Sequence, residues 1–436
     1  MLQQFQFNGR LPDKILKRRE TGDVSQAVRA IIKDVRENGD AAVFNYTLKF
    51  DKFNLTKENI LVTGAEFAAA FNAVKKSEIK ALENAKKSIV SYNEKIKRAN
   101  RMFGTGGAKT GFICRPMERV GLYVPGGKAP YISSVLMCAL PAVVAGVKEI
   151  IMCTPTPNGA PVNPLTLVAA SLCGVKRIYK AGGAQAIAAM AYGTETIPKV
   201  DLITGPGNIY VATAKKEVFG DAGIDMVAGP SEICVIADKS ANPAFLAADL
   251  LSQAEHDELA MAVLITTSAE IAGKVSAELE RQIKLLPRER IAAASINSYG
   301  AAIICKSLQE AVKASNLLAP EHLELCVSEP ETLLGLISNA GAVFMGHYTP
   351  EALGDYAAGP NHVLPTNGSA RFFSALSVDT YMKKISVLNF DKAALQKKAK
   401  TIVALAEKEG FRGHANSINI RTENLKMKDR DYDAQR

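Results

Sequence analysis

Apolar side chains recur at helical spacing near the start of the chain. Val24, Ala27, Val28, Ile31, Ile32 and Val35 share one face, and Gly39 marks the expected stop. An Ala- and Lys-rich stretch from about Glu66 to Arg98 predicts a long charged helix. From Val120 onward the pattern changes. Short β-branched runs at Val120 to Val124, Glu149 to Cys153, Lys176 to Tyr179, Val200 to Thr204 and Ile233 to Ala237 predict strands. Between them, Ser133 to Ala145, Leu165 to Cys173, Ala184 to Tyr192 and Ile209 to Phe219 predict helices. The alternation resumes with strand candidates at Met261 to Thr266, Ala301 to Cys305, Leu323 to Val327 and Ala342 to Met345. Such alternation predicts parallel sheets with helices on both faces.

The expected class is therefore α/β: two doubly wound Rossmann-like units with small N- and C-terminal helical segments. The change of pattern places an N-terminal arm at 1–24, a first α/β domain from 25–119 and 238–382, a second from 120–237, and a C-terminal segment at 383–436. In that last segment a helix over Lys392 to Glu409 precedes a strand-like Ser417 to Arg421. Pro- and Gly-rich junctions fall at Pro125 to Gly127, Gly229 to Pro230 and Gly359 to Pro365.

Composition narrows the classes. With 436 residues, 47% hydrophobic and 22% charged, the chain can build a sizeable core and is neither disordered nor fibrous. The formal net charge of +9 is a mild excess. Basic residues gather at Lys14 to Arg19 and Lys426 to Arg430 without interleaved aromatics, so no nucleic-acid partner is expected. The seven cysteines form no C-x-x-C pair and mostly sit in apolar runs, which reads as buried thiols in a reducing compartment. The N-terminus shows no basic and apolar leader pattern. The longest apolar stretch, Val135 to Val147, is short for a bilayer and contains Pro141. A cytoplasmic protein with no membrane partner is expected.

Three glycine-bearing segments follow strand candidates: Val124-Pro125-Gly126-Gly127, Ala181-Gly182-Gly183-Ala184-Gln185 and Thr204-Gly205-Pro206-Gly207-Asn208. Strand ends that lead into helix N-termini are where open α/β sheets take ligands, and glycine lets a phosphate approach the backbone. None is a G-x-G-x-x-G fingerprint. Phe103 to Thr110 looks superficially like a P-loop but lacks the Gly directly before Lys109 and reads as a surface turn.

The histidines are His256, His322, His347, His362 and His414. Gln253 and His256 are three apart on a helical stretch and so share a face. With Asp355 and His414 they compose a donor set suited to Zn²⁺ or a similar divalent ion, although the spacing alone is only suggestive. Taken singly, each histidine reads as an exposed or hydrogen-bonded side chain. Glu321-His322 could supply two bases of different pKa, or merely cap a strand.

Eight ordered segments together resemble the histidinol dehydrogenase family: Gly121 to Gly127, Gly182 to Ala188, Gly205 to Asn208, Ala228 to Glu232, Gln253 to Asp257, Ala319 to Glu324, Gly354 to Tyr356 with Gly359 to Pro365, and Glu409-Gly410 followed by His414. The resemblance covers about Arg29 to Arg421. It implies the NAD-dependent four-electron oxidation of L-histidinol to L-histidine through histidinaldehyde, the last step of histidine biosynthesis. It further implies one Zn²⁺ per subunit on Gln253, His256, Asp355 and His414. Glu321 and His322 become the catalytic bases. Ser231, His362 and Glu409 join Gln253, His256, His322, Asp355 and His414 around the substrate. Tyr123, Gln185 and Asn208 become NAD contacts, which makes 120–237 the NAD-binding domain. A homodimer is implied, with the C-terminal segment completing the partner's active site. The family uses no cysteine, and His347 gains no role. Three other readings compete. One is a same-fold zinc/NAD alcohol dehydrogenase acting on another amino alcohol or a sulfonated diol. Another is a zinc hydrolase, against which the glycine edge speaks. The third is a non-catalytic, metal-stabilised binding protein, which zinc removal would unfold with no activity to lose.

Overall fold

In the computed structural model, residues 1–17, 22–126 and 131–422 are described. Gly127 and the basic residues Arg18, Arg19 and Lys426 to Arg430 lie outside them. The chain divides into two compact units, Met1–Lys97 with Met117–Tyr381, and Arg98–Pro116 with Met382–Arg436.

The larger unit holds two all-parallel sheets. One has six strands in the order Gln3–Gln6, Ala301–Ile304, Met261–Thr266, Glu232–Ala237, His322–Cys326 and Ala342–Met345. The other has five, in the order Arg177–Tyr179, Glu149–Cys153, Arg119–Tyr123, Leu202–Thr204 and Gly223–Ile224. The fold is α/β as the alternation predicts. Continuous apolar runs become strands here because both sheet faces are covered; every residue of Met261–Thr266 and of Glu232–Ala237 is buried.

The packing corrects the expected domain boundaries. Glu232–Ala237, expected to close the second domain, lies centrally in the other sheet, between Met261–Thr266 and His322–Cys326. Gln3–Gln6, expected in an arm, is an edge strand of that sheet. Residues of Ser25–Asp51 pack with Ile151, Ile187 and Val211 around the five-stranded sheet, not with the 238–382 region. Apolar faces choose their partner by shape and area, which chain order does not encode.

Helix bounds also shift. Ser25–Asp51 runs through Gly39, where φ 52 and ψ −130 kink the helix instead of ending it. Asp40 N–H donates to Glu195 Oε2 at 2.8 Å, and Thr196 donates to Asp40 Oδ1. The expected helix from Glu66 to Arg98 is two helices, Gly64–Ala73 and Lys76–Ile96, the first opened by a Thr63–Glu66 capping box.

The smaller unit is an antiparallel sheet of Met382–Phe390, Ala108–Pro116 and Arg101–Phe103, followed by the helices Lys392–Lys408 and Arg412–Thr422. The expected surface turn is the link between its two shorter-range strands, with Gly104 at φ 109. Ser417 to Arg421, expected as a strand, is helical.

All seven cysteines are buried thiols. Burial pushes Cys138 and Cys173 up to about 12. Among the described residues, no helix is long and apolar enough to cross a membrane.

Candidate active site

The site is built where the helix Pro243–Ala254 runs alongside the strand His322–Cys326. Residues i and i+4 of a helix are about 6 Å apart, close to the span of i and i+2 on a strand. Asp249 and Gln253 therefore match Glu324 and His322. The Asp249 and Glu324 carboxyl groups share a hydrogen bond, and Gln253 Nε2 lies 2.9 Å from His322 Nδ1. Gln253 is fully buried and His322 only 3% exposed. His322 and Glu232 are the first residues of their strands. The bases thus stand at the amino ends of the six-stranded sheet, whereas the glycine turns follow the carboxyl ends of the five-stranded one.

One residue orients both candidate bases. Glu232 N–H donates to Glu321 Oε2 at 2.8 Å, and the Glu232 carbonyl lies 2.9 Å from His322 Nδ1. A carbonyl only accepts, so the imidazole proton sits on Nδ1. Gln253 Nε2 reaches the same carbonyl at 3.4 Å, so its N–H is directed to that oxygen, and its 2.9 Å approach to the protonated Nδ1 is a contact between two donors, not a hydrogen bond. Two acceptors are then left buried and unpartnered, Gln253 Oε1 and His322 Nε2. His322 Nε2 lies 3.7 Å from Glu351 Oε1. Ligand atoms of His322, Glu351 and Asp355 lie within 4.8 Å of one another.

Burial dominates the electrostatics. It lowers the His322 pKa and keeps the imidazole neutral. It raises Glu321 and Glu351 well above the usual carboxylate range, and raises Asp355 as well. His256 keeps an exposed edge, yet surrounding protein lowers its pKa against the pull of Asp355. His362 falls to about 4 by burial, and its Nδ1 lies 3.1 Å from the Asp355 carbonyl. Ser231 stands one residue before Glu232 and accepts the Met261 N–H on its carbonyl at 2.9 Å. The structure thus brings Gln253, His256, Glu321, His322, Asp355 and His362 into one neighbourhood. Glu409 and His414 belong to the smaller unit, where Glu409 ends a helix and the exposed His414 ring lies 5.3 Å from that of Phe411.

Neutral imidazole, amide oxygen and carboxylates are donors that a divalent cation takes. Two of them are already orphaned acceptors, so the residues fit a metal. On the other sheet, Tyr123 ends a strand, and its hydroxyl accepts the Gly183 N–H at 3.1 Å. Gln185 is buried nearby, with Oε1 unpartnered. Asn208 Oδ1 caps the helix Ile209–Val218, accepting from Tyr210 and Val211 N–H at 3.0 and 3.1 Å. An unpartnered amide oxygen beside glycine-bearing strand ends fits a dinucleotide.

The sequence model of the family described as histidinol dehydrogenase matches residues 16–422. The chain belongs to the histidinol dehydrogenase family. It is 55% identical over 405 residues to a histidinol dehydrogenase of Geobacter sulfurreducens, covering 92% of this chain and 94% of that one. It is 47% identical over 431 residues to that of Lactococcus lactis, covering 98% and 100%. The crystal structure of histidinol dehydrogenase from Elizabethkingia anophelis superposes with a TM-score of 0.92 at 40% identity, covering 98% of this chain and 99% of that one. As a member of the histidinol dehydrogenase family the chain is an oxidoreductase.

Sequence reasoning missed Glu351, Glu324, Asp249 and the backbone role of Glu232. Glu351 carried a usable signal. It stands four residues before Asp355, so both carboxylates share one helix face.

Proposed function

We propose that this chain oxidises L-histidinol to L-histidine, taking two NAD⁺ per substrate. One observation carries the reading: Glu321 and His322 are oriented by a single strand residue beside buried, unpartnered acceptors, in a chain whose family match spans 16–422. Gln253, His256 and Asp355 would hold a zinc ion, with His414 delivered by a second copy in a homodimer. Tyr123, Gln185 and Asn208 would hold NAD. When bound, zinc supplies Lewis-acid orientation of the substrate's imidazole and amine, and each nicotinamide takes one of the two hydrides that alcohol-to-carboxylate oxidation releases.

The protein's own part is proton handling. With Nδ1–H held by the Glu232 carbonyl, His322 presents its Nε2 lone pair and takes the hydroxyl proton as the first hydride leaves. Glu321 takes the proton of the water that adds to the aldehyde. Protonated His322 returns its proton to the aldehyde oxygen as that water adds, and the imidazole, neutral again, accepts the hydrate's hydroxyl proton as the second hydride leaves. Ser231, His362 and Glu409 orient the substrate. Seven buried thiols and the biosynthetic reaction suit the cytoplasm.

The deciding assay follows nicotinamide reduction with histidinol, with and without a chelator. Two NADH per histidinol, lost on chelation and restored by Zn²⁺, is the expected result. One NADH per substrate, preference for another amino alcohol or a sulfonated diol, or turnover without nicotinamide would overturn the reading.

A further inference from the structure

Beneath the turn from Gly205 to Asn208 lies a buried ion pair that the reaction does not use. Lys215 Nζ pairs with Asp225 Oδ1, and the two side chains are 2% and 0% exposed. Lys215 Nζ also donates to the Gly205 carbonyl at 2.9 Å. Asp225 Oδ2 accepts the Gly205 N–H at 2.7 Å, and Oδ1 accepts the Met226 N–H at 2.6 Å. Both polar groups of one backbone residue are therefore held by the two ends of one ion pair.

Gly205 is also wedged. Its φ is +113, and a Cβ there would lie 2.1 Å from the Tyr123 carbonyl oxygen. Next to it, the Thr204 hydroxyl and the Tyr381 hydroxyl lie 3.0 Å apart, and Tyr381 donates to the Cys138 carbonyl at 2.7 Å. The strand end bearing Tyr123 and the turn bearing Asn208 thus meet at the residue that the ion pair holds. Filling space does not require a buried pair, because apolar residues of similar volume fill it without desolvating two charges. Fixing an amide and a carbonyl at once does require a donor and an acceptor.

We propose that Lys215 and Asp225 are positioning residues for the dinucleotide. They set the Gly205–Asn208 turn against Tyr123, so NAD affinity depends on them while proton transfer at His322 does not. This rests on the reading that the edge of Tyr123, Gln185 and Asn208 takes NAD.

The test uses the full-length zinc-loaded protein and the charge-free double variant Lys215→Met/Asp225→Leu, which keeps the core filled but leaves Gly205 unheld. Asn208→Asp, which puts a negative charge on the turn, reports separately on whether NAD binds there. The expected result is an NAD KM raised about tenfold or more in the double variant, with kcat at saturating NAD and the histidinol KM within about threefold of the parent. An NAD KM within about twofold of the parent, while Asn208→Asp raises it, overturns the positioning role and leaves the NAD edge standing. No change in either variant overturns both. If the double variant does not fold, Asp225→Asn replaces it, and an unaltered NAD KM there likewise overturns the proposal.

Discussion

At the residue scale, the proposed division of labour between Glu321 and His322 is open to a direct test. His322→Asn removes the Nε2 acceptor and is expected to slow histidinol oxidation by about 10²–10⁴-fold, the usual worth of a positioned base. Glu321→Gln is expected to slow oxidation of supplied histidinal more than the alcohol step. Equal losses in the two assays would contradict this division. Because burial holds the Glu321 pKa well above its ordinary value, the aldehyde step should fall on acidification at a pH above the usual carboxylate range. That fall should vanish in Glu321→Gln. His362 shows the converse linkage. Its folded pKa, about 4, lies below the ordinary 6.5, so the unfolded chain binds the extra proton first. The stability it contributes is present above about 6.5 and is lost as pH falls toward 4, on the order of 2 kcal/mol. Asp249, raised to about 6, acts in the opposite direction in that range. Urea midpoints of metal-free parent and His362→Phe should therefore be compared with each other, and the parent should lose more on acidification. Identical pH profiles would contradict the linkage.

At the element scale, a helix and a strand of matched repeat carry the site. Asp249 and Gln253 against Glu324 and His322 is a correspondence of periods, four residues of helix against two of strand. Gly39 is the clearest element-scale constraint. A Cβ there would lie 2.4 Å from Glu195 Oε2 at a backbone angle that L side chains rarely adopt. Gly39→Ala is expected to destabilise by about 1–3 kcal/mol without changing KM, and thermal unfolding measures it. Most strands of the two parallel sheets were legible in the sequence because short β-branched runs alternated with longer Ala-rich stretches, the pattern of doubly covered parallel sheets. The small antiparallel sheet was not. Ala108–Pro116 is partly exposed and Met382–Phe390 mostly so, both mixed in polarity, and their pairing is set by partners 266 to 282 positions apart. Ile418 and Ile420 alternate with polar residues as in a strand, yet the segment is helical, packed with Lys392–Lys408. In the site, the imidazoles and the Glu-His pair stood out by chemistry. Glu232 did not, because its backbone does the orienting and any residue type carries that backbone.

At the scale of the whole molecule, the proposed sharing of sites between two copies has a direct test. His322→Asn and His414→Ala chains, each inactive alone, are mixed after unfolding and refolded together. Random pairing gives half mixed dimers, each with one complete site, so about a quarter of the parent activity should return. No recovery from a mixture shown to contain mixed dimers would mean that each chain completes its own site.

The burial of every cysteine has a practical corollary. An aldehyde-oxidising enzyme that works through a thioester is silenced by peroxide or iodoacetamide, because a thiolate is what those reagents seek. Here all seven thiols are buried, and the chemistry proposed for Glu321 and His322 uses none of them. Doses of electrophile that inactivate thiol-dependent dehydrogenases should leave the turnover of this one intact.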